Sequence, residues 1–259
     1  VSHFRPWPYP RILAHRGGGT LAPENTLAAI RFGHGLGFRA VEFDAMLAGD
    51  GVPVLIHDHT LERTTSGRGL VAEHTAAQLG ALDAGSWLAP RFAGEPVPPL
   101  SSAIELCRAL RIWANIEIKP SPGAQLRTGE VVARMTAALY ADRPQADATQ
   151  AIDPALPLLS SFSAEALAAA RDAAPGLPRG YLVDRLPDGW RDELQRLRCV
   201  SLHTNHRHLS REQARAVKDA GYWLFCYTVN DPARAREILR WGVDALCTDR
   251  IDLIDPAFA

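Results

Sequence analysis

The sequence predicts an α/β protein folded as a (β/α)8 TIM barrel. Short β-branched or apolar runs recur eight times along the 259 residues, and helix signals fall between most of them. Such alternation implies parallel strands joined by right-handed crossovers, and this length accommodates eight units. Charged residues cluster at the ends of several runs, where barrels of this kind place their active sites.

In order, the strand candidates are Arg11–Ala14, Ala40–Phe43, Trp113–Ile118, Leu156–Phe162, Gly180–Val183, Cys199–His203, Tyr222–Val229 and Asp244–Thr248. Ser102 with Glu105 has the spacing to open a helix, and Thr128 precedes one carrying Val131, Val132, Met135 and Leu139. Ser210 with Gln213 forms a capping-box pattern, followed by Ala214, Val217 and Ala220 on one face and Gly221 as a stop. Asp231-Pro232 pairs a cap with proline at the first helical position, and Gly242 ends that helix. Between Thr60 and Pro99 the alternation gives way to a Gly/Pro/Thr-rich stretch, which reads as an insertion (residues 60–99) beside the active site. The chain, residues 1–259, otherwise reads as a single domain without repeats or low-complexity tracts.

Composition narrows the setting. The 28 Lys+Arg nearly balance 29 Asp+Glu, which argues against a nucleic-acid partner. Val1 to Pro10 has no apolar core of signal-peptide type, and the longest apolar run, Tyr222–Val229, is strand-sized. No stable membrane anchor is therefore expected. Cys107, Cys199, Cys226 and Cys247 lack CxxC spacing, so they read as buried reduced thiols of a cytoplasmic protein.

The strand ends carry the chemistry. His15-Arg16 follows the first strand; Glu42 and Asp44 share one face of the second, and Glu117 and Lys119 one face of the third. Asp50-Gly51 signals a two-residue hairpin turn, which would set Gly49 opposite Val52, Met46 opposite Leu55, and Asp44 opposite His57. Three carboxylates without clustered thiols suit one hard divalent cation, Mg2+ or Ca2+. His15 and His57 can exchange protons near neutral pH, and Arg16 and Lys119 suit phosphate oxygens. Together they point to metal-assisted phosphoryl chemistry. Blander readings stand beside each residue: a Glu-x-Asp pair can be a salt-bridged face, a strand-end histidine a structural one, and Arg16 a partner for Glu24. Gly17–Gly19 lacks the GxGxxG pattern of a phosphate loop, and His206 and His208 read as loop histidines.

The ordered set His15-Arg16-Gly17, Pro23-Glu24-Asn25-Thr26, Glu42-x-Asp44, Asp50-Gly51, His57-Asp58, Arg63-Thr64-Thr65, Glu117-x-Lys119, Ser161-Phe162, Thr228-Val229-Asn230 and Thr248-Asp249 resembles the glycerophosphodiester phosphodiesterase family. The likeness runs from Pro8 to Asp255, and the opening Trp-Pro-Tyr-Pro is most similar to bacterial cytosolic members associated with glycerol-3-phosphate uptake. It implies a barrel of the PLC-like phosphodiesterase type, with an insertion after His57-Asp58. It also implies hydrolysis of small-molecule glycerophosphodiesters to sn-glycerol 3-phosphate and an alcohol through a cyclic phosphate. On matching positions Glu42, Asp44 and Glu117 become metal ligands, His15 and His57 the acid/base pair, and Arg16 and Lys119 the phosphate holders. Tyr227 stands where the family often has Trp, which bears on substrate preference. Cleavage of lysophospholipids by the same residues is the alternative; it needs an exposed apolar rim or amphipathic anchor, and the sequence offers no clear one beyond a contribution from Trp87-Leu88. A noncatalytic binding protein would tolerate loss of a histidine or carboxylate, yet the full set is present.

Overall fold

The computed structural model describes residues 6–144 and 152–258; the first five residues of the opening segment fall outside them. The strands are β1 (Ile12–Ala14), β2 (Ala40–Leu47), β3 (Pro53–Leu55), β4 (Trp113–Ile118), β5 (Leu158–Ser161), β6 (Arg179–Val183), β7 (Ser201–Asn205), β8 (Trp223–Tyr227) and β9 (Ala245–Thr248). Among the described residues, eight of these run parallel in the order β1-β2-β4-β5-β6-β7-β8-β9, and β1 closes the ring by pairing both β2 and β9. The predicted barrel is thus the observed one. β2 is longer than its neighbours, and β3 pairs antiparallel along its final residues.

Helices α1 (Leu27–Gly35), α2 (Ala76–Gly80), α3 (Leu100–Ala109), α4 (Gln125–Leu139), α5 (Ala164–Ala173), α6 (Trp190–Leu197), α7 (Arg211–Asp219) and α8 (Pro232–Arg240) connect the strands. The expected capping box of α7 is present: Ser210 accepts from the Gln213 N–H, and Gln213 accepts from the Ser210 N–H. Asp231 caps α8 through the Ala233 N–H. Two helix starts differ from expectation. α3 begins at Leu100, because Pro98 and Pro99 hold the chain extended up to a fully buried leucine, so Ser102 lies inside the helix. α4 begins at Gln125, and Thr128 turns its hydroxyl back onto the Ala124 carbonyl at 2.8 Å.

The hairpin register also needs correcting. Ala45, Met46 and Leu47 pair with Leu55, Val54 and Pro53, one residue away from the expected alignment. The loop holds three residues: the Gly51 N–H bonds the Ala48 carbonyl and the Ala48 N–H bonds the Val52 carbonyl. Gly51 takes the left-handed conformation that such a loop requires, at φ 82°.

Residues 60–99 are more ordered than their composition suggested. They contain α2, with an unforeseen Thr75/Gln78 capping box, and single 3-10 turns at Val71–Glu73 and Pro90–Phe92. Leu61, Val71, Leu79 and Val97 pack with Met46, Val54 and Ile56 of the hairpin into a small core of their own. These apolar residues are too widely spaced to show a period in the sequence.

The two barrel ends differ sharply. At the strand N-termini, Trp7 and Tyr9 pack on Trp113 and Trp223, the first residues of β4 and β8. Tyr9 stacks on Trp113 at 4.1 Å between ring centroids, and Trp7 meets Trp113 and Trp223 edge-on at 5.6 and 5.3 Å. This aromatic cluster plugs that end, leaving the other for the charged residues.

Candidate active site

The charged residues converge at the strand C-termini. β2 directs Glu42 and Asp44 to the barrel interior, and the β2–β4 register sets Glu42 beside Asn115 and Asp44 beside Glu117. One carboxylate oxygen from each of Glu42, Asp44 and Glu117 lies within 4.8 Å of the others. Among the described residues no other His, Cys, Asp or Glu group converges this way.

Beside them the chain leaves β1 through a tight turn, His15–Gly17, in which Arg16 adopts a left-handed φ of 50°. That strained backbone aims the Arg16 N–H at Glu42, 3.1 Å away. His15 places Nε2 3.7 Å from Glu42 and Nδ1 2.5 Å from Asp249. Gly19 lets the turn pack onto the chain beyond β9, since a Cβ there would sit 2.2 Å from the Asp249 carbonyl oxygen. The Gly17–Gly19 segment is therefore a close-packed turn.

Of the three clustered carboxylates, Asp44 has the most partners. Asn25 donates to it at 2.8 Å and accepts its backbone N–H at 3.0 Å. Lys119 Nζ lies 3.4 Å from Asp44 and 3.5 Å from Glu117, and Arg16 Nε lies 3.5 Å from Asp44. Arg16 also bonds Glu24 at 2.7 Å, so the bland pairing expected of it exists alongside its place at the site. His57 follows β3 and bonds Asp58 through Nδ1 at 2.6 Å.

Electrostatics sort these groups. Burial, reinforced by the Asp44 charge, pushes Glu42 up to about 7 and Glu117 up to about 8. Burial acts on Asp44 too, but Lys119, Arg16, His57 and the Asn25 bond outweigh it and hold its pKa below the ordinary value. Burial would lower His15, yet the Asp249 bond and the Glu42 charge leave it raised. His57 is lowered by burial, with Arg16 and Lys119 adding to that and Asp44 opposing. Three carboxylates, two buried and Glu117 half-buried, crowd together with two of them pushed toward protonation, and their hard oxygen donors fit a divalent cation.

Tyr227 ends β8 with its hydroxyl donated to the Val183 carbonyl at 2.9 Å and its ring edge-on to Phe162 at 5.7 Å. Phe162 borders a groove of about 310 Å³ that Glu117, Lys119 and His59 also line. A larger cleft, about 750 Å³, lies at the opposite barrel end among Arg39, Arg108 and Trp113, away from the carboxylates. His208 pairs with Asp184 at 3.5 Å as a loop histidine. His203 is fully buried against Phe225, its pKa driven down to about 3 by burial, so it stays neutral. All four cysteines are buried and unpaired with one another.

Several residues here had been quoted only as motif members. Asp249 orients His15 and is itself held by Asn230, which donates to it at 2.9 Å. Asn25 braces Asp44, Asp58 orients His57, and Arg63 bonds Asp58 and Glu24. The His57-Asp58 adjacency was visible in the sequence. The Asp249–His15 bond spans 234 residues and left no local signal.

A closed parallel barrel with paired histidines and basic side chains around a carboxylate cluster defines a class of phosphoryl-transfer enzyme. Residues 15–253 match the glycerophosphoryl diester phosphodiesterase family, and the chain belongs to that family of enzymes. A glycerophosphodiester phosphodiesterase from Caldanaerobacter subterraneus subsp. tengcongensis is 32% identical, over 92% of this chain and 93% of its own length. A phosphodiesterase from Oleispira antarctica, solved in complex with the product sn-glycerol-3-phosphate, is 37% identical with a TM-score of 0.83, covering 93% of both chains. A glycerophosphodiester phosphodiesterase from Agrobacterium tumefaciens is 29% identical with a TM-score of 0.76, covering 94% of this chain and 97% of its own.

Proposed function

We propose that this chain hydrolyses small-molecule glycerophosphodiesters, such as glycerophosphocholine or glycerophosphoethanolamine, to sn-glycerol 3-phosphate and an alcohol. The observation that carries the reading is the convergence of Glu42, Asp44 and Glu117 beside His15, Arg16 and Lys119. The three carboxylates would hold one divalent cation, Mg2+ or Ca2+. Bound there, the cation would lower the pKa of a neighbouring hydroxyl and offset charge on the phosphoryl oxygens.

The chain's own residues supply the remainder. Arg16 and Lys119 hold the phosphate and stabilise the charge that builds on it. One histidine of the pair His15 and His57 takes the proton of the glycerol hydroxyl beside the ester as that oxygen bonds phosphorus. The other protonates the alcohol oxygen as the old phosphorus–oxygen bond breaks. Water then opens the cyclic phosphate with the histidine roles reversed. Tyr227, with Phe162, offers ring surface to the glycerol or alcohol portion.

In this reading the whole chain is one catalytic domain, with residues 60–99 as an insertion flanking the mouth. It works in the cytoplasm on a small-molecule substrate, without a nucleic-acid partner. Four buried unpaired thiols suit a reducing compartment, and no helix among the described residues is long and apolar enough to cross a membrane.

An activity panel tests the reading. Glycerophosphocholine and glycerophosphoethanolamine should yield glycerol 3-phosphate with Mg2+ or Ca2+ present, and chelation should abolish the release. Full activity after complete metal removal would sink the carboxylate assignment. Cleavage of lysophosphatidylcholine alone would move the enzyme to lysophospholipids.

A further inference from the structure

The Arg63-Thr64-Thr65 motif has no part in the chemistry above, yet Arg63 reaches into the site. Its Nε and Nη2 bond the two oxygens of Asp58 at 2.6 and 3.1 Å. Its Nη1 and Nη2 bond the two oxygens of Glu24 at 2.8 Å each. Four hydrogen bonds from one guanidinium therefore fix two carboxylates. Each carboxylate passes the constraint on: Asp58 to His57 Nδ1 at 2.6 Å, Glu24 to Arg16 Nη1 at 2.7 Å.

The rest of the motif explains how an arginine that is 45% exposed can hold such geometry. Leu61 is fully buried in the small core of residues 60–99, and Thr64 is buried beside it. The Thr65 hydroxyl and N–H both bond the Leu61 carbonyl, and Ser66 bonds the Asp83 carbonyl, so the turn carrying Arg63 is anchored on both sides. A single exposed ion pair would contribute little. A bidentate contact to two carboxylates from an anchored turn is a different case.

We infer that Arg63 is a positioning residue that sets His57 and Arg16 together, through Asp58 and Glu24. The inference rests on the roles proposed above for His57 and Arg16. It gives residues 60–99 a part in catalysis, because the turn that begins them orients one proton carrier and one phosphate holder. Lysine cannot replace arginine there, since an ammonium lacks the planar fork that serves both carboxylates.

Steady-state kinetics on glycerophosphoethanolamine, at saturating divalent cation, separate the two arms. Arg63→Gln should lower kcat and raise KM, each about 10-fold, the scale usual for residues that orient a site's functional groups. Asp58→Asn should reproduce the kcat loss and Glu24→Gln the KM rise, while Arg63→Lys restores one arm at most. In a His57→Ala background, Arg63→Gln should still raise KM but cost no further kcat. An unchanged kcat and KM in Arg63→Gln overturns the inference, as does an equal kcat loss with and without His57, the mark of a loop tether. Imidazole 15N shifts read the link without turnover: Arg63→Gln should move His57 and leave His15 in place. If those shifts move while His57→Ala keeps the wild-type rate, the proposed chemistry has failed and the contact stands. Should Arg63→Gln not fold, Arg63→Lys carries the same readouts, and wild-type values for it in both arms overturn the inference.

Discussion

At the scale of single residues, the site works by giving like groups unlike surroundings. Asp44 keeps its charge because Lys119, Arg16 and Asn25 face it, whereas Glu42 and Glu117 lack comparable support and are pushed up. The two histidines diverge in the same way: Asp249 and Glu42 raise His15 against burial, while burial, Arg16 and Lys119 lower His57. Divergent surroundings suit the opposite proton loads proposed for the pair. Asp249→Asn removes the charge that helps raise His15 and leaves only a neutral acceptor, so its pKa should fall. In a pH–rate profile the limb belonging to His15 should move to lower pH while the other stays. Two unmoved limbs would deny Asp249 that role.

Single elements act by register. β2 and β4 pair so that Asp44 meets Glu117, and a slip of one residue would turn one carboxylate out of the barrel. The hairpin shows how such a register is chosen. The Gly49-Asp50-Gly51 sequence admits either a two-residue or a three-residue loop, and local propensity does not separate them. Contacts from residues 60–99 decide: the Gly49 N–H bonds the His74 carbonyl at 2.7 Å, and Asp50 accepts the Ala76 N–H at 3.2 and 3.1 Å. The turn was legible in the sequence, but its length was not, because its partners lie some 25 residues further on. Gly51→Ala would place an L side chain at φ 82° and should cost about 1–2 kcal/mol in chemical denaturation. No loss of stability would mean that the loop relaxes to another register.

The whole molecule divides its tasks between its ends. The aromatic plug of Trp7, Tyr9, Trp113 and Trp223 stabilises one end, and charges crowd the other. Trp113 is buried and donates its indole N–H to the Leu156 carbonyl at 2.8 Å. Trp113→Ala should therefore lose about 3–5 kcal/mol of stability while kcat per folded molecule stays unchanged. A fall in kcat would show that the ends are coupled. The charged end carries the opposite cost. Glu42 and Glu117 have folded pKa values near 7 and 8, above the ordinary 4.5, so the cation-free fold binds extra protons. Their contribution to stability therefore declines as pH rises from about 4.5 toward 8. The cation proposed for this site would replace those protons, so the rise in Tm on adding Mg2+ or Ca2+ should be larger at pH 8 than at pH 5. An equal rise at both would mean that the cation binds elsewhere.

The sequence by itself determined the alternating strands and helices, the inward pairing of Glu42 with Asp44 and of Glu117 with Lys119, and the caps of α7 and α8. Each is written in residues a few positions apart, where backbone geometry converts spacing directly into direction. Only the tertiary structure decided the three-residue hairpin loop, the start of α3, the order within residues 60–99, and the Asp249 partner that orients His15. Asp249 reaches His15 across the closing seam of the barrel, and Arg63 reaches Glu24 across 39 residues. Such contacts depend on where the closed sheet brings distant strand ends together, and no local pattern encodes that distance.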